Sequence, residues 1–373
     1  MAVFVFGNST FASTPMPLRA ALLERIRRQT KPPGSLGQLE EVGLRLGLIQ
    51  NTLTPALHKP GVCIFAASHG IAREGVSAFP PEVTAEMVGN FLRGGAAVCV
   101  LARCAGASLR VVDAGVDAPG DVAWRGAPGM DSRPVARGTR SFLHEPAMTP
   151  GECAQALETG AIQVRNARET GTDVLALGEM GIGNTTSAAA LCAALLGVDP
   201  KCVTGRGTGV DEKGLQHKLR VISQSLSRHQ PEEPHGSEGV AVRARYWLER
   251  VGGFEIAALT GCILAAARER LPVVIDGFIV STAALVASLM EPDCLAVCFF
   301  AHRSAEYGHG VLLEYLQASP LLSLGMRLGE GSGAVLALPL LQAAARLVSE
   351  MASFESAGVT NANGENPVPA ASQ

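Results

Sequence analysis

Three glycine-rich segments of this 373-residue chain hold the polar side chains best suited to chemistry. The first runs from Gly178 to Thr186 and follows an apolar run. Its glycines let the backbone turn and approach a ligand closely, and Asn184, Thr185 or Thr186 can cap the helix that follows. Free N–H groups at the start of such a helix favour a phosphate. An ordinary strand-to-helix turn with a threonine cap explains the pattern equally well.

The second segment, Gly205 to Asp211, places three glycines beside Arg206. Lys218 follows Asp211 at the spacing of two helical turns, on nearly the same face. An arginine or a lysine at this place could neutralise a phosphate. The alternative is a turn followed by a lysine in solvent, because lysine is seldom buried.

The third segment, Arg327 to Gly333, holds Glu330 between two glycines and leads into an apolar helix. Glycine neighbours leave the carboxylate little obstructed, and partial burial would raise its pKa. Such a group is suited to removing a proton from a ring nitrogen as a general base. The alternative is an acid that stabilises a helix N-terminus, with Ser332 as the cap.

Other common site types are not supported by the sequence. The residues from Gly181 to Thr186 end in threonine where a dinucleotide fingerprint needs glycine or alanine, and no Gly-Lys-Ser/Thr follows. Hydride transfer is therefore disfavoured. His69 and His302 each follow an apolar run, without HxxxH, HExxH or CxxC spacing elsewhere. We interpret both histidines as hydrogen-bonded structural groups and predict neither a metal site nor a cofactor.

Composition narrows the class of protein. Hydrophobic residues make up 47% and aromatic residues 5% of the chain, with 42 glycines, which suits an α/β protein. A net charge of -3 gives no reason to expect nucleic acid or an anionic membrane as a partner. The nine cysteines lie mostly in apolar runs, as reduced thiols of a cytoplasmic protein do. We find no export signal, and the longest apolar stretch is broken by Asp276 and Gly277, so no transmembrane span is predicted.

Five apolar runs supply the elements that must position these segments. Each is apolar throughout and ends in glycine or a polar residue, which is typical of strands covered on both faces. Alanine- and leucine-rich helical stretches separate most of them, such as Thr84–Ala105, Ser187–Leu196 and Ser281–Met290. This alternation predicts a three-layer α/β/α fold with a mostly parallel sheet and a ligand crevice at the carboxyl ends of the strands. The runs are Gly61–Ala67, Leu109–Val112, Asp173–Leu177, Pro272–Ile275 and Leu295–Phe300.

The ends of the chain predict a second, smaller domain. Residues 1–55 are basic and helical in pattern, and we expect them to pack with a C-terminal helix in residues 331–355. Residues 56–330 form the α/β core in this interpretation, with a long surface loop at 117–150 and a polar connector at 228–240. Residues 356–373 are rich in Gly, Asn, Pro and Ala and are expected to form a disordered tail.

Short stretches in register between residues 31 and 354 resemble the nicotinate-nucleotide–dimethylbenzimidazole phosphoribosyltransferases. The resemblance implies a parallel α/β fold with a small helical domain made from both chain ends, and a homodimer with its sites near the interface. It also implies that no metal is required. The stretches include Lys31–Gly37, Glu74–Pro80, Glu82–Thr84, Gly94–Ala97, Gly178–Thr186, Gly205–Asp211, Gly252–Ala257, Asp276–Phe278 and Leu328–Gly333.

The resemblance also implies a reaction and roles for individual residues. Nicotinate mononucleotide would give its phosphoribosyl group to 5,6-dimethylbenzimidazole or a related base, with inversion at the ribose carbon, leaving α-ribazole 5′-phosphate and nicotinate. Glu330 matches the catalytic base, and Glu179 is placed to hold the ribose. Phe79 and Met87 match the pocket for the aromatic base. The other substrate-binding residues that we expect are Gly181, Gly183, Asn184, Lys218, Ser304 and Gly329.

Two departures from the family pattern leave the acceptor open. Ser68 stands where many members have aspartate, and Phe79 and Met87 stand where some have polar residues. Dimethylbenzimidazole, another benzimidazole, adenine and a phenolic compound remain possible acceptors. A non-catalytic nucleotide-binding or sensor protein of the same fold is the alternative function, although a binder would not need a poised base.

Overall fold

The structure is a computed structural model that describes residues 16–207, 209–234 and 239–360. The chain divides into two compact units, Met1–His58 with Leu338–Gln373, and Lys59–Ala337. The boundary thus falls inside the C-terminal helix, whereas the sequence suggested residue 330. Of the expected tail, residues 361–373 lie outside the described part, and Ser356 and Ala357 belong to a short helix.

The larger unit contains a sheet of six parallel strands, which confirms the predicted α/β class. The strand order is β3-β2-β1-β4-β5-β6, so the direction of winding reverses between β1 and β4. In open α/β sheets, ligands bind beyond the carboxyl ends of the strands at such a reversal. The strands are β1 (Pro60–Ala67), β2 (Ser108–Gly115), β3 (Met130–Ser132), β4 (Val174–Met180), β5 (Val273–Ile275) and β6 (Cys298–Phe300).

Helices connect and cover these strands, and further helices form the smaller unit. The larger unit contains α3 (Val83–Leu92), α4 (Ala97–Cys104), α5 (Pro150–Glu169), α6 (Asn184–Leu196), α7 (Glu212–His229), α8 (Gly239–Val251), α9 (Phe254–Arg268), α10 (Phe278–Met290) and α11 (His309–Tyr315). The smaller unit contains α1 (Met16–Arg28), α2 (Gln38–Gln50) and α13 (Phe354–Ala357), and α12 (Ser332–Glu350) crosses the boundary.

The structure corrects three sequence predictions. The run Leu295–Phe300 is a strand only in its second half, because Pro292–Val297 forms a 3₁₀ helix and β5 offers just three residues for pairing. Thr84–Ala105 is two helices, interrupted at Gly94, which has a φ of 77°. The loop at 117–150 contains β3, whose short, polar sequence carries no strand signal.

Helices α5 and α9 approach each other at backbone distance. A Cβ atom on Gly160 would overlap the carbonyl oxygen of Ala258, and one on Gly261 would overlap that of Leu157. Both glycines lie inside regular helices, where alanine has the higher helix propensity. Close packing of the two helices therefore explains why glycine stands at these positions.

Two described segments have the length and apolar composition of a membrane-crossing helix, Val83–Cys104 and Ser332–Glu350. The first contains α3 and α4 and is interrupted between them. Of the most apolar window, 39% is buried in the first segment and 56% in the second. Core helices meet the same criterion, so the finding is weak evidence for a membrane.

Candidate active site

A cavity of about 560 Å³ lies at the carboxyl ends of β4, β5 and β6, beside the segment that follows β1. Its size falls in the usual range for small-molecule sites. Eight of the ten predicted site residues line it: Phe79, Met87, Glu179, Gly181, Asn184, Ser304, Gly329 and Glu330. Gly183 and Lys218 do not belong to the lining.

Glu330 is held in a left-handed backbone conformation. Its φ is 63°, between Gly329 at 82° and Gly331 at 84°. The side chain is 8% exposed, and its Oε2 atom has no hydrogen-bond partner among the described residues. Burial raises the pKa of Glu330 to about 7. A carboxylate of this kind is free to accept a proton from a ligand at neutral pH.

Glu179 lies within β4 rather than after it, because the pairing with β1 continues through Phe65 and Glu179. Its Oε2 accepts a hydrogen bond from Asn184 Nδ2, and its Oε1 accepts one from the backbone N–H of Glu330 at 3.4 Å. Burial, followed by the charges of Asp276 and Glu255, raises the pKa of Glu179 to about 8. A hydrogen bond therefore links the Glu179 carboxylate to the backbone of Glu330, the other predicted catalytic residue.

Asp276 is a third acid of the cavity wall, to which the sequence assigned no role. It follows β5 and is 1% exposed. Its Oδ2 accepts from the N–H of Gly331 at 3.2 Å, and its Oδ1 from that of Ala334 at 2.9 Å. Burial raises its pKa to about 7. Its place after a buried strand was the one available signal in the sequence.

Two helices direct their N-termini towards the cavity. Asn184 and Thr185 of α6 line it, as do Phe278, Ile279 and Val280 in the first turn of α10. Neither helix has a side-chain N-cap within the described part of the chain, since both begin after glycine. Uncapped N–H groups and the positive end of the helix dipole favour an anion.

Lys218 lies behind this wall. It is 1% exposed, and its Nζ donates to Thr185 Oγ1 at 2.8 Å and to the Gly205 carbonyl at 3.3 Å. Burial lowers its pKa to about 8, although the charge of Glu306 acts in the opposite direction. The lysine therefore supports Thr185, which does line the cavity. The solvent-exposed alternative for Lys218 is wrong.

Arg327 is the only arginine or lysine among the described residues of the cavity lining. Its Nη1 donates to the Gly207 carbonyl at 3.2 Å. Glu306 also lines the cavity and accepts from the Gly207 N–H at 3.3 Å. In the sequence, Arg327 stands out only as the start of the third glycine-rich segment, and no motif marks Glu306.

His309 fixes the position of Ser304. The Ser304 N–H donates to His309 Nδ1 at 2.9 Å, and His309 Nε2 lies 3.0 Å from Ser281 Oγ. Burial lowers the pKa of His309 to about 3, so the ring is neutral. Because Nδ1 accepts, the proton must be on Nε2, where it is donated to Ser281. Ser304 is thus presented to the cavity by a buried histidine.

The two histidines noted in the sequence are both buried, and His69 has the short side-chain contact expected of a structural group. His69 Nε2 lies 2.6 Å from Glu255 Oε1, and both residues lie outside the cavity lining. His302 lines the cavity, with its Nε2 3.7 Å from Asp276 Oδ1, and burial lowers its pKa. Within the described residues, no group of three or more His, Cys, Asp or Glu side chains is arranged to hold a metal ion.

The remaining wall of the cavity is apolar. Phe79, Val83 and Met87 come from the segment before α3 and from its first turns, and Leu328 precedes Gly329. Phe79 is 50% and Leu328 56% exposed. These side chains offer surfaces for an aromatic ring next to the Glu330 loop. Ser68, the departure noted above, is not in the lining; its Oγ accepts from the Asp117 N–H at 3.0 Å.

Comparisons with known proteins show the family to which the chain is similar. The sequence model of a family described as Phosphoribosyltransferase matches residues 13–359. The chain is similar to the nicotinate-nucleotide–dimethylbenzimidazole phosphoribosyltransferase of Dechloromonas aromatica, at 48% identity over 92% of this chain and 96% of that protein. A protein of the same name from Chloroflexus aurantiacus is 49% identical over 93% and 96%.

A solved structure gives the same result. The crystal structure of CobT from Thermus thermophilus is 45% identical, with a TM-score of 0.86, and the match covers 92% of this chain and 99% of that one. The chain therefore belongs to the family of nicotinate-nucleotide–dimethylbenzimidazole phosphoribosyltransferases.

Proposed function

We propose that this protein transfers the phosphoribosyl group of nicotinate mononucleotide to 5,6-dimethylbenzimidazole or a related base, giving α-ribazole 5′-phosphate and nicotinate. Family membership supports the reaction. One observation supports the mechanism above all others. The Glu330 carboxylate has a free oxygen, a pKa raised to about 7 and an apolar wall beside it.

Glu330 acts as the base in this proposal. It takes the N–H proton of the benzimidazole, and the opposite ring nitrogen attacks the ribose carbon that bears nicotinate. The bond from that carbon to the pyridinium nitrogen breaks, and its electron pair neutralises the ring, so nicotinate leaves without a general acid. The carbon is inverted. Glu179, held by Asn184, is placed to bind the ribose.

The phosphate of the nucleotide binds at the polar part of the wall. The uncapped N-termini of α6 and α10 support this placement, together with Arg327 as the lining cation. Gly181 and Gly329 line the cavity and allow close backbone approach, and Ser304 adds a hydroxyl. Lys218 contributes through Thr185, whose hydroxyl it holds.

An assay with purified protein tests the reaction and the base together. Nicotinate mononucleotide and dimethylbenzimidazole are supplied without a redox cofactor, and nicotinate release and ribazole phosphate are measured by chromatography. We expect Glu330→Gln to fold normally and to lower kcat by about 10²–10⁴, the usual contribution of a general base. The matched control is Glu249→Gln, since Glu249 is also 8% exposed but lies outside the cavity lining.

Two outcomes would reject the proposal. Absence of product from the wild-type protein, with tight nucleotide binding, would favour the non-catalytic alternative. A wild-type rate in Glu330→Gln would remove Glu330 from the mechanism. Competition among dimethylbenzimidazole, unsubstituted benzimidazole, adenine and a phenol in the same assay identifies the preferred acceptor, and the apolar side chains of Phe79 and Met87 favour the benzimidazoles.

A homodimer is a further part of the proposal, and exposed apolar residues near the cavity support it. Leu328 is in the lining, Tyr307 follows Glu306, and Tyr307 is 67% exposed. We expect sedimentation to give twice the mass of the chain and Tyr307→Asp to weaken the dimer. Val240→Asp is the control, at 58% exposure on a helix that does not line the cavity. A monomeric wild type would contradict this part alone.

The cytoplasm is the proposed location. None of the nine cysteines forms a disulfide, and seven of them are buried, which suits a reducing compartment. Fractionation of cells that make the tagged protein tests this, with recovery in the soluble cytoplasmic fraction as the expected result and recovery with membranes as the contradicting one.

A further inference from the structure

Two carboxylates bind the backbone on either side of the Glu330 side chain. Glu179 Oε1 accepts from the N–H of Glu330 itself at 3.4 Å. Asp276 accepts from the next residue, Gly331, at 3.2 Å and from Ala334 in the first turn of α12 at 2.9 Å. Both carboxylate oxygens of Asp276 therefore accept hydrogen bonds from the chain segment that carries Glu330.

This segment needs such support because its backbone is unfavourable for glutamate. Glu330 has a φ of 63°, in a backbone region that residues other than glycine and asparagine rarely adopt. The strand beneath it also comes close, since a Cβ atom on Gly178 would lie 2.5 Å from the Glu330 carbonyl oxygen. Strained conformations persist only where the surroundings determine them fully.

We propose that Asp276 is a positioning residue for Glu330, holding the loop before α12 so that the Glu330 carboxylate faces the bound base. This inference rests on the proposed role of Glu330. Charge couples the two groups as well, since an ionised Glu330 raises the pKa of Asp276, and such an interaction between two acids is reciprocal. The titratable groups that face Asp276 are Glu179 from β4, His302 after β6 and Glu330 itself.

Asp276→Asn separates this role from general support of the fold. The amide keeps one acceptor oxygen, but its NH₂ group would oppose a backbone N–H, so one of the two contacts is lost together with the charge. The natural control is Asp113→Asn. Asp113 is 0% exposed, and its Oδ1 accepts from Gly115 at 3.0 Å and Val116 at 2.7 Å, yet it lies outside the cavity lining.

The test is the pH profile of kcat at saturating substrates. We expect Asp276→Asn to lower kcat by about 10–100-fold, since small misplacement of a reacting group has effects of this size. We also expect the KM for nicotinate mononucleotide to stay within about threefold of the wild-type value. The acid limb, where kcat falls at low pH because Glu330 is protonated, should move to lower pH by about half a unit or more. Asp113→Asn should lose thermal stability but keep the kcat and the acid limb of the wild type.

Other outcomes overturn the proposal. Asp276→Asn with the kcat and acid limb of the wild type would do so, and so would equal losses of kcat in both variants without a shift of the limb. If Asp276→Asn does not fold, Asp276→Glu keeps the charge and lengthens the side chain. We then expect an unshifted limb and a kcat at least about fivefold lower; an unchanged kcat would overturn the proposal.

Failure of the proposed function gives a different result from failure of this inference. If the wild type forms no product, or if Glu330→Gln is fully active, the proposed function fails. If the wild type is active and Glu330→Gln is impaired while Asp276→Asn is not, the inference about Asp276 fails alone.

Discussion

Glu330 combines two features that are unfavourable for folding. Its backbone is left-handed, and one oxygen of its buried carboxylate lacks a partner within the described structure. A glutamate in this conformation costs about 1 kcal/mol relative to glycine, and an unsatisfied buried oxygen costs about 1–3 kcal/mol more. Both features serve the proposed chemistry, because they point a reactive carboxylate into the cavity.

Glu330→Gly should therefore give an inactive protein that is more stable than the wild type. We expect the free energy of unfolding to rise by about 1–2 kcal/mol, because glycine relieves the strain and removes the buried charge. Thermal and denaturant unfolding measure the change. Gln317→Gly is the control, since Gln317 has a φ of 51° but is exposed, so only the backbone contribution of a few tenths to 1 kcal/mol is expected there. A less stable Glu330→Gly protein would show that the loop is not strained.

At the scale of elements, the contact between α5 and α9 depends on two glycines. Gly160→Ala would drive a methyl group into the carbonyl oxygen of Ala258. Since backbone atoms cannot move aside as flexible side chains do, we expect a loss of about 2–4 kcal/mol of stability. Gly151→Ala in the same helix is the control, because a Cβ atom there meets only Thr149 Oγ1 at 4.0 Å.

The two variants should change stability in opposite directions. Gly151→Ala is expected to be neutral or to stabilise the protein by up to about 1 kcal/mol through helix propensity. Chemical denaturation measures the change in the free energy of unfolding. Equal, small changes in both variants would mean that α5 and α9 can move apart at little cost, so that their close approach does not require glycine.

Elements whose signal is local were predictable from the sequence. Apolar runs that end in polar residues gave the strands β1, β2, β4 and β5, and the rule for parallel sheets put Glu179 at the crevice. Glu330 stood out because of its glycine neighbours. The strand predicted for Leu295–Phe300 was partly wrong, because a buried strand and a buried 3₁₀ helix have equally apolar sequences.

Partners that meet only through the order of the strands were not predictable. Asp276 contacts Gly331 because β5 lies next to β4 in the sheet, and sequence spacing carries no trace of that neighbourhood. Lys218 lies on a helix whose buried face depends on what packs against it. Its burial behind Thr185 therefore could not be read from the amphipathic pattern of α7.

For the whole molecule, the buried acids predict how stability depends on pH. Burial raises the pKa values of Glu179, Asp276 and Glu330 to between about 7 and about 8. Between the unfolded values, 4.5 for glutamate and 3.8 for aspartate, and these folded values, the native state binds more protons than the unfolded state. The contribution of each acid is therefore complete below its unfolded pKa and is lost as the pH rises towards 8.

Comparison with Glu330→Gln isolates one of these contributions. Burial lowers the pKa of His309 to about 3, so this residue makes the free energy of unfolding rise with pH up to about pH 6.5. The pH dependence of wild-type stability therefore combines opposing contributions. We expect the stability of the wild type relative to Glu330→Gln to fall by about 3 kcal/mol between pH 4.5 and pH 7.5. Urea unfolding at each pH gives the free energies. If the wild type and Glu330→Gln show the same pH dependence across that range, the pKa of Glu330 is not raised in the folded protein.

The order of the strands has a consequence for how the protein reaches its native state. Every strand of the described sheet is parallel to its neighbours, so no two of these strands pair as a hairpin, and the central pairing brings Pro60 next to Val174. Distant pairing of this kind requires loop closure before contacts stabilise it, which slows folding. Asp276, Ser304 and Glu330 are also synthesised only after the central strands β1 and β4. Nascent chains stalled before residue 334 should therefore remain sensitive to protease across β4 and β5, and chains extended beyond it should acquire resistance.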